Sequence, residues 1–376
     1  MTNSSDSRNG SFIESLIPTS FFHIIKQERI FIGLIGLFFF AAGVTFPYAE
    51  IAMWVGFIFA GYSAIANDSI QTIGTFLASN QDKKWWVLWI YIGGIFLATV
   101  TVSWVIFDGD VSYQRLTSKG FSESPTSFTF LQVAAPVFLL ILTRMRMPVS
   151  TTFLLLSCFA ASAEDITSVL GKSLSGYFLA FAAGLIVWLL VTKTFEKKFA
   201  TTEAAKIWLP IQWITSGSLW AVWVMQDAAN VAVYLPRSLS FGQFLGFALF
   251  IFFGLGLLFY LRGDKIQQIV TEKSRVTDIR SATIIDFIYA ILLTYKLTVS
   301  TVPMSTTWVF LGLLAGREIG MSITGDKKIT GQPIGKVLKM IFKDLSYALF
   351  GLLVSILLAV SINADVREEL LNYLGY

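Results

Sequence analysis

Long apolar stretches are the feature that most constrains the fold of this chain. A helix needs about 20 apolar residues to cross the hydrocarbon core of a bilayer. Most of the stretches approach that length, although 150–163 and 305–318 are short for a full crossing. Eleven of them are found, at 30–48, 50–66, 86–107, 128–143, 150–163, 174–192, 207–225, 241–261, 282–297, 305–318 and 345–361. The sequence therefore predicts an all-α polytopic membrane protein with about 11–12 transmembrane helices.

Composition agrees with a membrane protein and nearly excludes soluble classes. Hydrophobic residues make up 55% of the chain and charged residues only 14%, whereas soluble domains contain about 25% charged residues. The net charge of +4 is thus attributed to loops at the membrane surface, and no nucleic-acid partner is expected. The single cysteine, Cys158, excludes an intramolecular disulfide, and the single histidine, His23, makes histidine catalysis very improbable. The chain contains no P-loop, so ATP-driven transport by this chain alone is not expected. No nucleophile–base set supports a membrane-embedded enzyme, and no cofactor is expected.

The distribution of Lys and Arg predicts the orientation. If all eleven segments cross, 22 of the 28 basic residues lie on the N-terminal side and six on the opposite side. Cytoplasmic loops of membrane proteins carry the excess of basic residues. We therefore expect a multi-pass protein of the inner or plasma membrane with a cytoplasmic N-terminal tail over 1–28. That tail is polar, and no secretory signal peptide is expected there.

Two different motifs occur twice in the same order. Residues 66–75 (A-N-D-S-I-Q-T-I-G-T) and 225–232 (M-Q-D-A-A-N-V-A) place their aspartates 159 residues apart. Residues 148–152 (P-V-S-T-T) and 303–307 (P-M-S-T-T) place their prolines 155 residues apart. An odd number of predicted spans separates the copies, so the two copies have opposite orientations, as in secondary transporters.

The duplication divides the chain into two halves, 29–200 and 201–376, each with one copy of both motifs. Segments 68–80 and 148–163 combine a polar motif with too few apolar residues for a crossing. Irregular backbone at membrane depth must be covered by protein or line a cavity. We therefore expect re-entrant or broken helices within the inverted repeats.

These motifs resemble those of the inorganic phosphate transporter family, the sodium- or proton-coupled phosphate permeases that include sulfate permeases. That family carries a duplicated signature close to G-A-N-D-V-A-N-A-x-G-T, and each copy is followed by P-x-S-T-T-H. The present sequence departs from the family at Phe153 and Trp308, which replace the two histidines. The matching positions are Asn67, Asp68, Gly74 and Thr75 in the first copy and Asp227, Ala229 and Asn230 in the second, with Gln71 and Gln226 in place of Asn.

The chemistry of the motifs suits ion coupling. Asp next to Asn or Gln supplies hard oxygen ligands for a small cation. Charge within the membrane is energetically costly, so a charged residue found there indicates a functional site. The candidate coupling-ion residues are Asn67, Asp68, Gln226 and Asp227, with Na⁺ at Asp68 and Asp227 or a proton in its place. The alternative is that each aspartate lies at a helix end in water.

The S-T-T segments suit an anion. Ser and Thr cap helix N-termini, and such ends bind tetrahedral oxyanions. The alternative is that these hydroxyls bond only within their own helices. The candidate substrate-binding residues are Ser150, Thr151, Thr152, Ser305, Thr306, Thr307, Gln71 and Asn230.

The leading hypothesis is therefore a secondary transporter for phosphate or a related oxyanion such as sulfate, coupled to sodium or protons. A scaffold or sensor that keeps the fold without transport is the alternative. The expected partners are a small inorganic anion and the lipid bilayer, and a homodimer is compatible with the sequence. Lys172 and Arg237 have two interpretations, since they attract anions or are ordinary loop charges. Asp286 is interpreted as a helix cap.

Overall fold

A computed structural model of the chain describes residues 19–117, 121–145, 147, 149–191, 202–261, 278–324 and 333–374. Within these residues every regular element is a helix, which confirms the all-α prediction. The division between the two predicted halves, at residue 200, lies outside the described residues, as does Pro148 of the first P-x-S-T-T copy.

The described residues form twelve α-helices, numbered here in chain order. They are α1 (Thr19–Thr45), α2 (Ala49–Ala66), α3 (Asp68–Ser79), α4 (Trp85–Ile106), α5 (Phe130–Arg144), α6 (Ala163–Val191), α7 (Trp208–Ala232), α8 (Phe241–Tyr260), α9 (Ile279–Val299), α10 (Thr306–Thr324), α11 (Ile334–Ile362) and α12 (Ala364–Leu374). A π-helical turn, Thr152–Leu156, and a 3-10 turn, Ser157–Phe159, lie between α5 and α6. Ten of the eleven predicted apolar segments coincide with an α-helix, and 150–163 is the exception.

Seven of the described helices are long and apolar enough to cross a membrane, by length and composition alone. The chain is thus an integral membrane protein. These helices are α1, α2, α4, α6, α8, α9 and α11. Helices α7 and α10 carry the second copies of the two motifs and are richer in polar residues, so the full count of 11–12 crossings stays a prediction.

The two segments predicted to be irregular do not form simple spans. Helix α3 has 12 residues and rises about 18 Å, well short of a core about 30 Å thick. Helix α2 ends at Ala66 and α3 starts at Asp68, so the helical conformation is interrupted at Asn67 between them. In the second copy, by contrast, α7 continues without a break through Asp227 to Ala232. The inverted-repeat relation between the halves stays a prediction.

Helix α1 begins at Thr19, and the part of it that is apolar enough to cross a membrane begins at Glu28, so the tail boundary at residue 28 stays a prediction. The charged residues near the boundary are good helix formers. Glu28 also accepts two hydrogen bonds from Arg144 at the end of α5, at 3.0 Å from Nε and 2.5 Å from Nη2. This ion pair stabilises the start of the helix against α5. Residues 1–18 lie outside the described part of the chain.

Helices α6 and α10 pack closely through glycine. A Cβ atom on Gly312 or Gly316 would collide with the backbone of Tyr177 or Phe181, respectively. This close approach places the start of α10 against α6, where the Ser305 amide donates a 2.8 Å hydrogen bond to Ser173 Oγ. The packing therefore fixes the position of the second S-T-T segment.

Candidate ion and anion site

Asp227 lies at the centre of the candidate site. It sits near the end of α7 and is 4% exposed. Its Oδ1 accepts a hydrogen bond from Asn230 Nδ2 at 2.6 Å and lies 3.3 Å from Thr152 Oγ1. Its Oδ2 accepts a 2.6 Å bond from Thr306 Oγ1. Three side chains thus surround one buried carboxylate.

The threonines that contact Asp227 come from the two S-T-T copies. Thr152 opens the π-helical turn of the first copy, and Thr306 is the first residue of α10 in the second. The two copies also contact each other directly, since Thr152 Oγ1 lies 3.2 Å from the carbonyl oxygen of Met304. Thr306 accepts in turn from Trp223 Nε1 at 3.2 Å. The fold therefore brings both motif copies to a single acidic side chain.

Asp68 lies beside this cluster. It begins α3 directly after the break and is 3% exposed. Asn67 Nδ2 donates to its Oδ1 at 2.8 Å, and its carboxylate interacts with the Thr151 hydroxyl and with Asp227. The two predicted coupling aspartates are thus neighbours in a buried site, where like charges repel strongly.

The serines of the S-T-T segments serve as helix caps. Ser150 Oγ accepts from the amide of Phe153, and Ser305 Oγ accepts from the amide of Trp308, both at 3.2 Å. Each cap satisfies one of the amide groups that a helix start leaves without an intrahelical partner. The serine hydroxyls therefore contact their own segments, and the threonines contact the carboxylates.

The remaining predicted residues have different positions. Gln226 donates to the carbonyl of Leu293 on α9 at 3.2 Å, which directs its amide towards that helix rather than Asp227. Thr307 is buried in the same turn as Thr306. The backbone of Gln71 belongs to α3, but its side chain lies outside the described residues.

Several buried oxygen atoms in this region have no hydrogen-bond partner among the described residues. They include Asn230 Oδ1 and, one turn before the helix break, Ser63 Oγ. Buried polar groups are normally paired, and an exception calls for an unplaced water or ion. Carboxylate, amide and hydroxyl oxygens are hard ligands of the kind a small cation takes, so Asp68, Asp227, Asn230 and Thr151 fit a sodium ion.

A small cavity adjoins the opposite side of Asp227. About 40 Å³ of it is open to water-sized molecules, and its walls are mainly apolar. Asp227 and Ser69 are the polar side chains that line it, and Trp220 and Trp223 supply part of its wall. This space exceeds the minimum of about 10–15 Å³ for one water. The residues of the two S-T-T segments do not line this cavity.

A third buried carboxylate belongs to Asp286 on α9, for which the sequence analysis named only a helix-cap role. Asp286 is 1% exposed and accepts hydrogen bonds from Thr75 Oγ1 at 2.7 Å and Ser216 Oγ at 2.5 Å. It therefore joins α9 to α3 and α7 instead of capping a helix end. The available signal was its charge within an apolar segment, which by itself marks a functional residue in a membrane.

The two residues that follow the S-T-T copies, where the family that the motifs resemble has histidine, contact each other. Phe153 and Trp308 are 1% and 2% exposed, and their ring centroids lie 5.3 Å apart at an interplanar angle of 58°. They therefore form an aromatic pair at the junction of the two S-T-T copies.

The fold is similar to that of a solved structure described as the sodium-dependent phosphate transporter. The two chains are 19% identical with a TM-score of 0.51, and the match covers 85% of this chain and 98% of the other. No family model and no curated protein matches the sequence. At this level of identity, the comparison shows that this chain shares its fold with a known membrane transporter.

Proposed function

We propose that this protein is a secondary transporter of phosphate or a related oxyanion such as sulfate, coupled to sodium ions or protons. The observation that carries the proposal is the meeting of Thr152 and Thr306, one from each S-T-T copy, at Asp227. The shared fold supports it. The arrangement joins a cation-binding carboxylate to hydroxyl donors that could hold an anion.

The cation acts first in this proposal. Asp68 and Asp227 lie close together in a buried site, and two negative charges there are costly unless a cation or proton compensates them. A sodium ion would be held by these carboxylates together with Asn230 Oδ1 and Thr151 Oγ1. A proton on one carboxylate would serve the proton-coupled version.

The anion then uses the same hydroxyl groups. Thr306 donates to Asp227, so this hydroxyl is not available to a second acceptor. Once a cation compensates Asp227, Thr152 and Thr306 can turn their donors towards an oxyanion at the positive end of the α10 dipole. Each ligand thus raises the affinity for the other, which is the linkage that symport requires.

The test is uptake of radiolabelled phosphate and sulfate into proteoliposomes, with the sodium and pH gradients varied separately. We expect Asp227→Asn to abolish the dependence of uptake on the coupling cation and to reduce uptake at least tenfold. Asp82→Asn is the matched control, because Asp82 lies in an exposed ion pair with Lys83 and its loss should leave uptake unchanged. Normal coupled uptake by Asp227→Asn would refute the proposed coupling role.

A second candidate is a membrane scaffold or sensor that binds ions without transport. The Phe153–Trp308 pair favours it, because two bulky rings fill the junction where the family has histidines. Binding of sodium and sulfate by the purified protein, together with no uptake of phosphate or sulfate under any gradient, would favour this candidate.

A further inference from the structure

Three basic side chains cluster at the end of the molecule opposite the Glu28–Arg144 pair. Arg115 comes from the segment between α4 and α5, Lys172 from α6 and Lys296 from α9. Arg115 Nη1 and Lys172 Nζ both donate to the carbonyl oxygen of Ser300, at 2.5 Å and 2.7 Å. Because they share one acceptor, these two cationic nitrogens lie within two hydrogen-bond lengths of each other.

Lys296 extends the cluster. Its Nζ donates to Ser175 Oγ on α6 at 2.6 Å, one turn beyond Lys172, and the two ammonium groups repel each other electrostatically. Lys172 also donates to the carbonyl of Val302. The hydrogen bonds of both lysines thus go to neutral oxygens, and none of the ion pairs between described residues involves either lysine.

Arg237, another basic residue at this end, has a structural role. Its guanidinium donates to the carbonyls of Phe121, Glu123, Val233 and Leu235, and so ties two loops together. A single arginine that contacts four carbonyls needs no further ligand. Two cations on one carbonyl are different, because they repel each other, and a bound anion relieves that repulsion, as does loss of the lysine proton.

The cluster is connected to the candidate site by the chain itself. Ser300 and Val302, which the cluster holds, directly precede Ser305 and Thr306 of the second S-T-T copy. Arg115 also interacts with Asp227. Burial lowers the pKa of Arg115 to about 10, so its guanidinium stays charged at neutral pH. An anion held by the cluster would therefore lie on the path towards Thr306.

We propose that Arg115, Lys172 and Lys296 form a separate capture site for a divalent oxyanion, which holds the anion before it reaches the Asp227 site. This deepens the proposed function and rests on it for the class of substrate. The two sites differ in one measurable respect. Binding at the Asp227 site requires a coupling cation, whereas the capture site carries its own positive charge and needs none.

The first experiment measures equilibrium binding of radiolabelled sulfate and phosphate to the purified full chain, in sodium-free and sodium-containing buffers of equal ionic strength. We expect Lys172→Gln to lower sodium-independent affinity about tenfold or more, whereas Lys172→Arg retains it. Gln can still donate to the Ser300 and Val302 carbonyls, so the substitution removes the positive charge while a hydrogen-bond donor to this segment remains. Asp227→Asn should remove only the sodium-dependent component. Failure of the proposed transport would not affect these binding results.

The second experiment uses chemical protection, which does not depend on any substitution. An amine-acylating reagent is applied without sodium, and the modified lysines are quantified by mass spectrometry. We expect sulfate, compared with chloride at equal ionic strength, to slow acylation of Lys172 and Lys296 several-fold. Lys336, exposed at the start of α11, is the internal control and should be unaffected. Equal acylation of Lys172 in sulfate and chloride, or sodium-independent binding unchanged in Lys172→Gln, would overturn the proposal.

Discussion

Thr306→Val is the substitution that most directly tests the charge at the centre of the site. Valine has nearly the shape of threonine but cannot donate to Asp227 Oδ2, nor accept from Trp223 Nε1. Loss of a hydrogen bond to a charged group costs about 1.5–3 kcal/mol. Neutral interhelical hydrogen bonds in membrane proteins average only about 0.6 kcal/mol. The size of the loss therefore reports whether the carboxylate is ionised.

We expect Thr306→Val to lower the free energy of unfolding by about 2–3 kcal/mol in sodium-free buffer, if Asp227 is ionised. Sodium should make this decrease in unfolding free energy smaller, because a bound cation compensates the negative charge of Asp227 in place of the missing Thr306 hydroxyl. The assay is unfolding in mixed micelles with a rising fraction of SDS, followed by circular dichroism, with choline in place of sodium as the reference.

Thr283→Val is the matched control for this experiment. Thr283 is also a buried threonine on an apolar helix, but its hydroxyl donates to the carbonyl of Ile279 within α9 at 2.7 Å. A neutral bond within one helix should cost less than about 1 kcal/mol, with no effect of sodium. Equal losses in the two variants, or the same loss for Thr306→Val in sodium and choline, would refute an ionised, cation-binding Asp227.

Two further predictions concern packing and the third carboxylate. Gly316→Ala should destabilise the protein by about 1–3 kcal/mol through overpacking, because a Cβ there meets the backbone of α6. The control is Gly171→Ala, where a Cβ meets no atom within 4 Å and should cause no such loss in the same assay. Asp286→Asn should lower the unfolding free energy by about 1–3 kcal/mol, since only one of the two polar atoms of the amide can accept a hydrogen bond from Thr75 or Ser216. An unchanged unfolding free energy would show that Asp286 contributes little to the contact among α3, α7 and α9.

The helices were largely predictable from the sequence, because a membrane span is encoded locally. An apolar run of sufficient length must form its backbone hydrogen bonds internally, and a helix does so within one segment. The same reasoning identified α3 and segment 150–163 as irregular, since polar motifs there shorten the apolar run. The extension of α1 back to Thr19 was not predictable, because the ion pair of Glu28 with Arg144, which stabilises the helix there, joins residues far apart in the chain.

The contacts of the site were less predictable, because they join residues far apart in the chain. The repeated motifs indicated that Asp68 and Asp227 belong together, and internal duplication was the signal for it. No spacing indicates that Thr75 donates to Asp286, 211 residues away, or that Gln226 faces α9. The double contact of Ser300 with Arg115 and Lys172 depends on how the loops fold over the helix ends, which apolar patterns do not encode.

The two copies of the acidic motif also differ in a way that bears on the proposed order of binding. Asp227 lies in a continuous helix and already has three side chains around its carboxylate. Asp68 follows a break in the helix. Near this break, Ser63 Oγ has no hydrogen-bond partner among the described residues.

A cation that binds near Asp68 competes with fewer donors, since only Asn67 and Thr151 are found at that carboxylate among the described residues. A cation that binds at Asp227 must displace three donors. Occupation of the Asp68 side first would compensate part of the negative charge that the two carboxylates share. That compensation weakens the hydrogen bonds that Thr152 and Thr306 donate to Asp227, since hydrogen bonds to a fully ionised group are the stronger ones. In the proposed transport function, the asymmetry between the copies therefore orders the events: the cation binds at the broken helix, and the threonines at Asp227 then become available to the anion.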